Sequence, residues 1–388
     1  VRRGELPGGG TVTGVAGGTA WFPGLRLRNA VECVDLATDA VRVSAGGCWA
    51  VVGDFEGRVR AWRFADVERL PEDEARPVGA ADGWRGPSGR WTSTLGREEY
   101  VRGVERVRGH IREGDVYQVN LCRVLSAALP PDAGREPDAA ALGARLAEGN
   151  PAPFAGGIHV PRGVAGPGGR AVTPAWVVSA SPELFLRVDG DVITSGPIKG
   201  TAATPAGLTD KDRAENVMIA DMVRNDLQRV CAPGTVEVTR LLALEHHPGL
   251  VHLVTTVQGR LTPAEPAVGG RQGASPAGGV DWARVLRATY PPASVSGAPK
   301  AAALGVIAEL EPTPRGPYCG AFGWIDADRD RAEIAVAIRT FWWSADEGGH
   351  LRFGTGAGIT WGSDPGAEWD ETELKARRLV SLAGGGGP

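Results

Sequence analysis

The sequence predicts a mixed α+β protein, with hairpins and long strands interspersed with amphipathic helices, and three observations carry that reading. Apolar residues alternate at Leu184, Leu186 and Val188, the turn dipeptide Asp189-Gly190 follows, and Val192-Ile193-Thr194 returns as a β-rich strand. The run from Cys48 to Phe55 turns at Glu56-Gly57 and comes back through Val59, Ala61, Trp62 and Phe64, a second hairpin. After Gly96 the period changes: Tyr100, Val104, Val107 and Ile111 stand at spacings of four, three and four, which puts them on one helical face.

Taken in order, residues 1–90 read as a β-rich scaffold segment of the same domain as the catalytic region at 91–383, with a disordered tail at 384–388. Pro71 to Gly89 reads as a surface connection and Thr262 to Gly279 as a low-complexity insertion. The helix that opens after Gly96 ends at Gly114, and Asp115 to Leu121 alternates like a strand. Asp210 to Val230 has helical length and propensity, with Thr209 as its N-cap. Leu244 to Leu261 reads as a strand. The last helix is capped by Asp364 and begun by Pro365, with Leu374, Leu379 and Leu382 facing the core.

Composition excludes several classes. The 388 residues are 42% hydrophobic and 23% charged, enough for one large domain or two modest ones. A net charge of −4 leaves no basic footprint for nucleic acid, and no run approaches the ~20 apolar residues of a membrane span. Cys33, Cys48, Cys122, Cys231 and Cys319 form no CxxC and have no histidine at zinc spacing. Reduced core thiols and a cytoplasmic location are therefore expected, and no apolar leader region follows Arg2 and Arg3.

The stretch from Ser179 to Thr201 carries the chemistry. Glu183 stands six residues before the turn at Asp189 and Lys199 nine after Gly190, so both lie toward the same end of one hairpin. The overhang of about three residues, on the order of 10 Å, requires a bend, and Gly196-Pro197 is placed to make it. A carboxyl group and a lysine brought together suit a reaction in which one protonates a leaving oxygen while the other attacks carbon, provided burial keeps the amine neutral. A solvated ion pair at a hairpin end is the alternative. Asp212 and Glu215 share a helix face at i, i+3, as do Glu368 and Glu371 far along the chain. Two such pairs offer hard oxygen ligands suited to Mg²⁺. Each also fits a solvated acidic first turn.

The wording SPE followed by PIKGT, with Lys199 sixteen residues after Glu183, resembles the chorismate-using enzymes, and among them the chorismate-aminating component of aminodeoxychorismate synthase. Matches run from about Trp91 to Leu382. They include GDVYQVNL around Gln118, the RAEN and RND wording of the 210–230 helix, the VxHL match at His252, and PPASVSGAPK, which resembles a PxGSxTGAPK loop. The resemblance implies an anthranilate-synthase-like fold of two large, mostly antiparallel sheets packed together with helices outside.

It also implies a mechanism. Lys199 attacks ring carbon 2, Glu183 protonates the departing 4-hydroxyl, and ammonia then attacks carbon 4 and expels the lysine. His252 either hydrogen-bonds the departing hydroxyl or sits satisfied in the core. Arg339 and Tyr318 supply a planar cationic fork and a phenolic donor for the enolpyruvyl carboxylate, with backbone N–H groups of the Gly356-Ala357-Gly358 turn and Lys300 as further anion partners. Thr201 and the Gly200 backbone serve a carboxylate. By the same resemblance Glu215 and Glu368 are the foremost Mg²⁺ ligands, with Glu371 close behind and Asp212 weaker. The anthranilate synthases carry alanine where Lys199 stands, and the isochorismate and salicylate synthases carry a water-activating lysine where this chain has Gln118, an amide without basicity. The arginines that usually follow the GT of this motif are missing from GTAATPAG. No glutaminase motif is present, so a separate glutamine amidotransferase subunit is expected to deliver ammonia.

Overall fold

The computed structural model describes residues 17–71, 79–87, 89–130, 136–202, 204–247, 250–263 and 279–384. Arg2 and Arg3, most of the expected insertion at 262–279 and the tail residues 385–388 lie outside the described residues. The hairpins form as the alternation predicts. Leu184–Asp189 pairs with Val192–Gly196 through Asp189↔Val192, and Cys48–Gly53 pairs with Val59–Arg69. Each pairing among the described strands is antiparallel, and the pairings join into one continuous network rather than two separate sheets.

That network is bent into two arms. One runs from Glu237–His247 through Leu250–Arg260, Val192–Gly196, Leu184–Asp189, Arg331–Val336 and Ala321–Asp326 to Cys48–Gly53. The other runs from Phe154–Val160 through Ala175–Ser181, Thr340–Trp343 and His350–Ile359 to Gln118–Ala128. Two neighbouring chains cross from arm to arm side by side: Ala175–Ser181 continues as Leu184–Asp189, and Arg331–Val336 continues as Thr340–Trp343. Both break register at the crossing, one at Pro182-Glu183 and the other at Ala337 to Arg339. These paired corners hold the two arms in a fixed relation, and they place two charged side chains between them.

Amphipathic helices cover the outside. Arg97–Glu113 buries Tyr100, Val104 and Val107 and ends on Gly114 in the left-handed conformation at φ 86°, as the spacing predicts. Asp210–Gln228 is capped reciprocally: Thr209 Oγ1 accepts the Asp212 N–H at 3.2 Å, and Asp212 Oδ2 accepts the Thr209 N–H at 2.8 Å. In the last helix, Pro365–Ala383, Asp364 caps and Leu379 is buried, but Leu374 is 65% exposed. It stands five residues before Leu379, about 140° around the helix, and so faces away from the core.

Within the expected surface connection at 71–89, buried Trp84 donates its indole N–H to the Ala383 carbonyl at 2.8 Å. All five cysteines are free thiols, four of them buried. Among the described residues no helix is long and apolar enough to cross a membrane.

Candidate active site

The two corners supply the first pair of groups. Glu183 is 4% exposed, and its backbone is fixed by the Val336 N–H, which donates to its carbonyl at 3.0 Å. Across from it, Arg339 sits at φ 52°, with its carbonyl accepting the Ala180 N–H at 3.0 Å. Ser181 closes the crossing by donating to the Val336 carbonyl at 2.6 Å. Burial pushes the Glu183 carboxyl above the ordinary range, against the pull of the Ser294 hydroxyl, the Lys199 ammonium and the Ile198 N–H. Burial lowers Arg339, and Glu183 opposes the change. Among the described residues the Arg339 guanidinium makes no hydrogen bond or ion pair, which leaves its fork open to an anion.

Lys199 is brought in by an irregularity. The strand Ile198–Ala202 follows the Gly196-Pro197 bend and pairs with Leu250–Arg260 as Ile198↔Val254 and Thr201↔His252, with a register shift between them. Gly200 takes up that shift at φ 90°, and a Cβ there would stand 2.9 Å from the Asp212 Cβ, so only glycine fits the turn. Asn216, fully buried, donates to the Lys199 carbonyl at 3.3 Å and to the Leu253 carbonyl at 2.8 Å, locking the bulge to the 210–228 helix. Burial lowers the Lys199 amine below its ordinary 10.5, while Glu215 and then Glu183 pull it back up.

Gln118 reaches the same place: a Cβ on Gly358 would overlap its amide nitrogen and lie 3.4 Å from the Lys199 Nζ. Gln118 is 1% exposed, and its amide oxygen has no partner among the described residues. Thr201 Oγ1 and His252 Nδ1 hydrogen-bond at 2.8 Å, so one ring nitrogen of the buried His252 is already engaged.

The acidic pairs meet over this hairpin. Lys211 stands 3.7 Å from both Glu215 and Glu368, so carboxylates from two helices converge on one cation. Burial raises both above the ordinary carboxylate range. Glu371 lies 2.6 Å from Lys375, whose ammonium also donates to the Gly356 carbonyl at 3.1 Å. Two partly desolvated carboxylates that already share a positive charge offer the hard oxygen donors that Mg²⁺ takes. Asp212 is occupied by the helix cap. The trio of His110, Glu113 and Asp115, whose donor atoms lie within 4.8 Å of one another, is on the surface at the far end of another helix.

One cleft of about 680 Å³ is lined by Glu183, Lys199, Gly200, Thr201, Asp212, Glu215, His252, Tyr318, Arg339, Gly356, Gly358, Glu368 and Glu371. Such a volume suits a small, multiply charged molecule. The chain matches the chorismate binding enzymes over residues 65–381. It belongs to that family. Anthranilate synthase component 1 of Streptomyces coelicolor is 37% identical over 333 residues, covering 81% of this chain and 58% of the relative. Aminodeoxychorismate synthase component 1 of Klebsiella aerogenes is 32% identical over 347 residues, covering 86% and 68%.

The chain thus spans about three-fifths to two-thirds of the length of these relatives. The menaquinone-specific isochorismate synthase of Escherichia coli superposes with a TM-score of 0.71 at 18% identity, covering 96% of this chain and 90% of that one. Anthranilate synthase component I of Streptococcus pneumoniae superposes with 0.63 at 22% identity, covering 95% and 81%. These likenesses establish the fold, and the family match over residues 65–381 establishes membership among the chorismate binding enzymes.

In this chorismate binding enzyme two expected anion partners lie elsewhere. Lys300 does not line the cleft: its ammonium is held by Asp226 at 2.6 Å and by the Thr289 carbonyl at 3.0 Å. Ala357 does not line the cleft: the Gly356 carbonyl accepts from Lys375 at 3.1 Å on the strand's open edge, so the backbone groups of Gly356 and Gly358 point there while those of Ala357 point to Gln118–Ala128. The open edge of that strand is useful in itself. Thr340–Trp343 pairs only as far as Phe353, so beyond it Gln118–Ala128 is the one neighbouring strand among the described residues and the other edge faces the cleft.

Sequence reasoning missed Lys211, Lys375 and Ser294. The two lysines were detectable as i, i+4 partners of Glu215 and Glu371, whereas Ser294 lay in the PPASVSGAPK loop, matched as a motif without singling out this serine.

Proposed function

We propose that the protein aminates chorismate at ring carbon 4, giving 4-amino-4-deoxychorismate, with ammonia from a glutamine amidotransferase partner in the cytoplasm. The observation that supports this over the other chorismate chemistries is Lys199, a half-buried lysine whose desolvation favours the neutral, nucleophilic form of its amine. Gln118 argues against water as nucleophile, because an amide beside the lysine cannot deprotonate it.

In this reading Lys199 Nζ bonds to ring carbon 2 as the ring double bonds shift and the carbon 4–oxygen bond breaks. Glu183, whose burial favours the protonated form, supplies the proton with which the hydroxyl leaves as water. Ammonia then bonds to carbon 4, the double bonds shift back, and Lys199 leaves carbon 2 with its electron pair. The Arg339 fork, the Tyr318 hydroxyl and the open strand edge at Gly356 and Gly358 hold the enolpyruvyl carboxylate. Glu215 and Glu368, with Glu371 beside them, would hold Mg²⁺, which when bound neutralises the ring carboxylate.

The test is product identity. The purified chain incubated with chorismate, ammonium and Mg²⁺ should form 4-amino-4-deoxychorismate by mass and chromatography, and it should not use glutamine in place of ammonium. Anthranilate as product would move the protein to the reaction named for its Streptomyces relative, isochorismate or salicylate would make water the nucleophile, and no turnover would leave a chorismate-binding relative without catalysis. Glutamine use by the pure chain would remove the need for a partner.

A further inference from the structure

Resting on the reading of Lys199 and Glu183 as the reacting pair, we infer that Asn216 and Thr255 are the positioning residues of the active site. Together they fix the short segment from which both the amine and the acid take their places. Neither lines the cleft, and both are fully buried behind it.

The segment runs from Pro197 to Lys199, and each of its residues is held separately. The Thr255 N–H donates to the Pro197 carbonyl at 3.3 Å. The Ile198 N–H donates to Glu183 Oε1 at 3.4 Å, so the segment carries a donor to the acid. The Asn216 side chain donates to the Lys199 carbonyl at 3.3 Å. Moving the segment therefore moves the lysine and the hydrogen bond to the acid at once. The regular ladder does not fix it, because the register against Leu250–Arg260 slips between Ile198 and Thr201.

The side chains behind it form a chain with a set direction. Asn216 sends one amide hydrogen to Lys199 and the other to the Leu253 carbonyl at 2.8 Å, which leaves its oxygen to accept. That oxygen takes the Thr255 hydroxyl proton. Thr255 Oγ1 in turn accepts the Leu242 N–H at 3.1 Å. Leu242 stands at φ 51°, which bulky side chains seldom adopt, where the strand Glu237–His247 slips register against its neighbour. Turned over, the amide would set its oxygen against two carbonyl oxygens, so the buried network is satisfied in one orientation only. Asn216 also follows Glu215 on the Asp210–Gln228 helix, so the helix that offers a carboxylate to Mg²⁺ is the one that holds the nucleophile's segment.

The test compares Thr255→Val, which keeps the shape and removes the hydroxyl, with Thr255→Ser, which keeps the hydroxyl. Three quantities are read on each: chorismate consumption with ammonium and Mg²⁺, the chorismate dissociation constant by calorimetry without ammonium, and hydrogen exchange of the peptide spanning Ile198 to Ala202. Thr255→Val should lower kcat by about 10- to 100-fold, the loss that a misplacement of about 1 Å brings, and leave the dissociation constant within about twofold. Exchange in that peptide should speed by about tenfold or more. Thr255→Ser should return kcat to within about threefold of the unsubstituted protein. Thr255→Cys, whose thiol is a weaker donor, should fall between the two. An unchanged kcat in the valine variant, a serine variant as slow as valine, or a fall in kcat matched by an equal weakening of chorismate would each overturn the assignment. Absence of the 4-amino product from the unsubstituted protein would sink the amination reading, whereas unchanged exchange in the valine variant would sink the lock whatever the enzyme makes.

Discussion

Gly358→Ala isolates the contact on which the lysine's placement depends. Gly358 has an ordinary backbone conformation, so alanine brings no conformational strain and acts only through its methyl group. That methyl would overlap the Gln118 amide nitrogen and touch the Lys199 Nζ at 3.4 Å. At 1% exposure the Gln118 amide must make room by shifting within the interior. Overpacking of this kind costs about 1–3 kcal/mol. Expressed in the transition state, that is a loss of roughly 5- to 150-fold in kcat/KM.

The assay is steady-state amination with ammonium, run beside thermal melts. Gly362→Ala, with nothing within 4 Å of its methyl, serves as the control and should be neutral. Gln118→Ser in the Gly358→Ala background removes the overlapping atom and should recover part of the packing loss, a non-additivity that a double-mutant cycle measures. Wild-type kcat/KM in Gly358→Ala, with an unchanged melt, would refute the placement of Gln118 against Lys199.

The remaining predictions concern charge. The productive pair is Glu183 protonated and Lys199 neutral; at the ordinary values of 4.5 and 10.5 it would be populated about once per million, and each unit by which burial closes the gap raises it about tenfold. The kcat/KM profile should be a bell. Activity rises with pH through the raised Glu183 step, below which both groups carry protons and the amine is blocked. It falls through the lowered Lys199 step, above which no acid remains, so the plateau is narrower than 4.5 to 10.5; a profile with limbs at those ordinary values would contradict the burial argument.

Glu215→Gln and Glu368→Gln each keep shape and remove one charge, so turnover should collapse at ordinary Mg²⁺ with little change in melting temperature. Activity surviving both substitutions and a chelator would remove the metal from the account. Lys300→Ala leaves Asp226 buried and unpaired and should lower stability by about 3–5 kcal/mol, read by denaturant titration; a stable variant with weakened chorismate binding would instead return Lys300 to the cleft.

Local pattern made much of the site legible. The alternation at Leu184 to Val188, the Asp189-Gly190 turn and the Gly196-Pro197 bend place Glu183 and Lys199 together using short-range signals alone. Thr209 and Asp364 announce their helices because caps are local chemistry. What stayed hidden is long-range. The crossings at Pro182-Glu183 and Ala337 to Arg339 leave no periodic trace, since a strand that changes partners keeps its own alternation. Lys300 read as an anion partner because Asp226, which holds it, lies 74 residues away in sequence. Leu374 read as core because apolar identity was weighed without its angle to Leu379.

Trapping the covalent intermediate tests the account most directly. With chorismate and Mg²⁺ but no ammonium, mass spectrometry of the digested protein should find a chorismate-derived adduct on the peptide containing Lys199, and adding ammonium should discharge it. Lys199→Ala should abolish the adduct and slow formation of the 4-amino product by orders of magnitude, to the level of direct ammonia attack. An unmodified Lys199 peptide together with near-normal turnover of the alanine variant would contradict the covalent role and leave the lysine as a charge partner only.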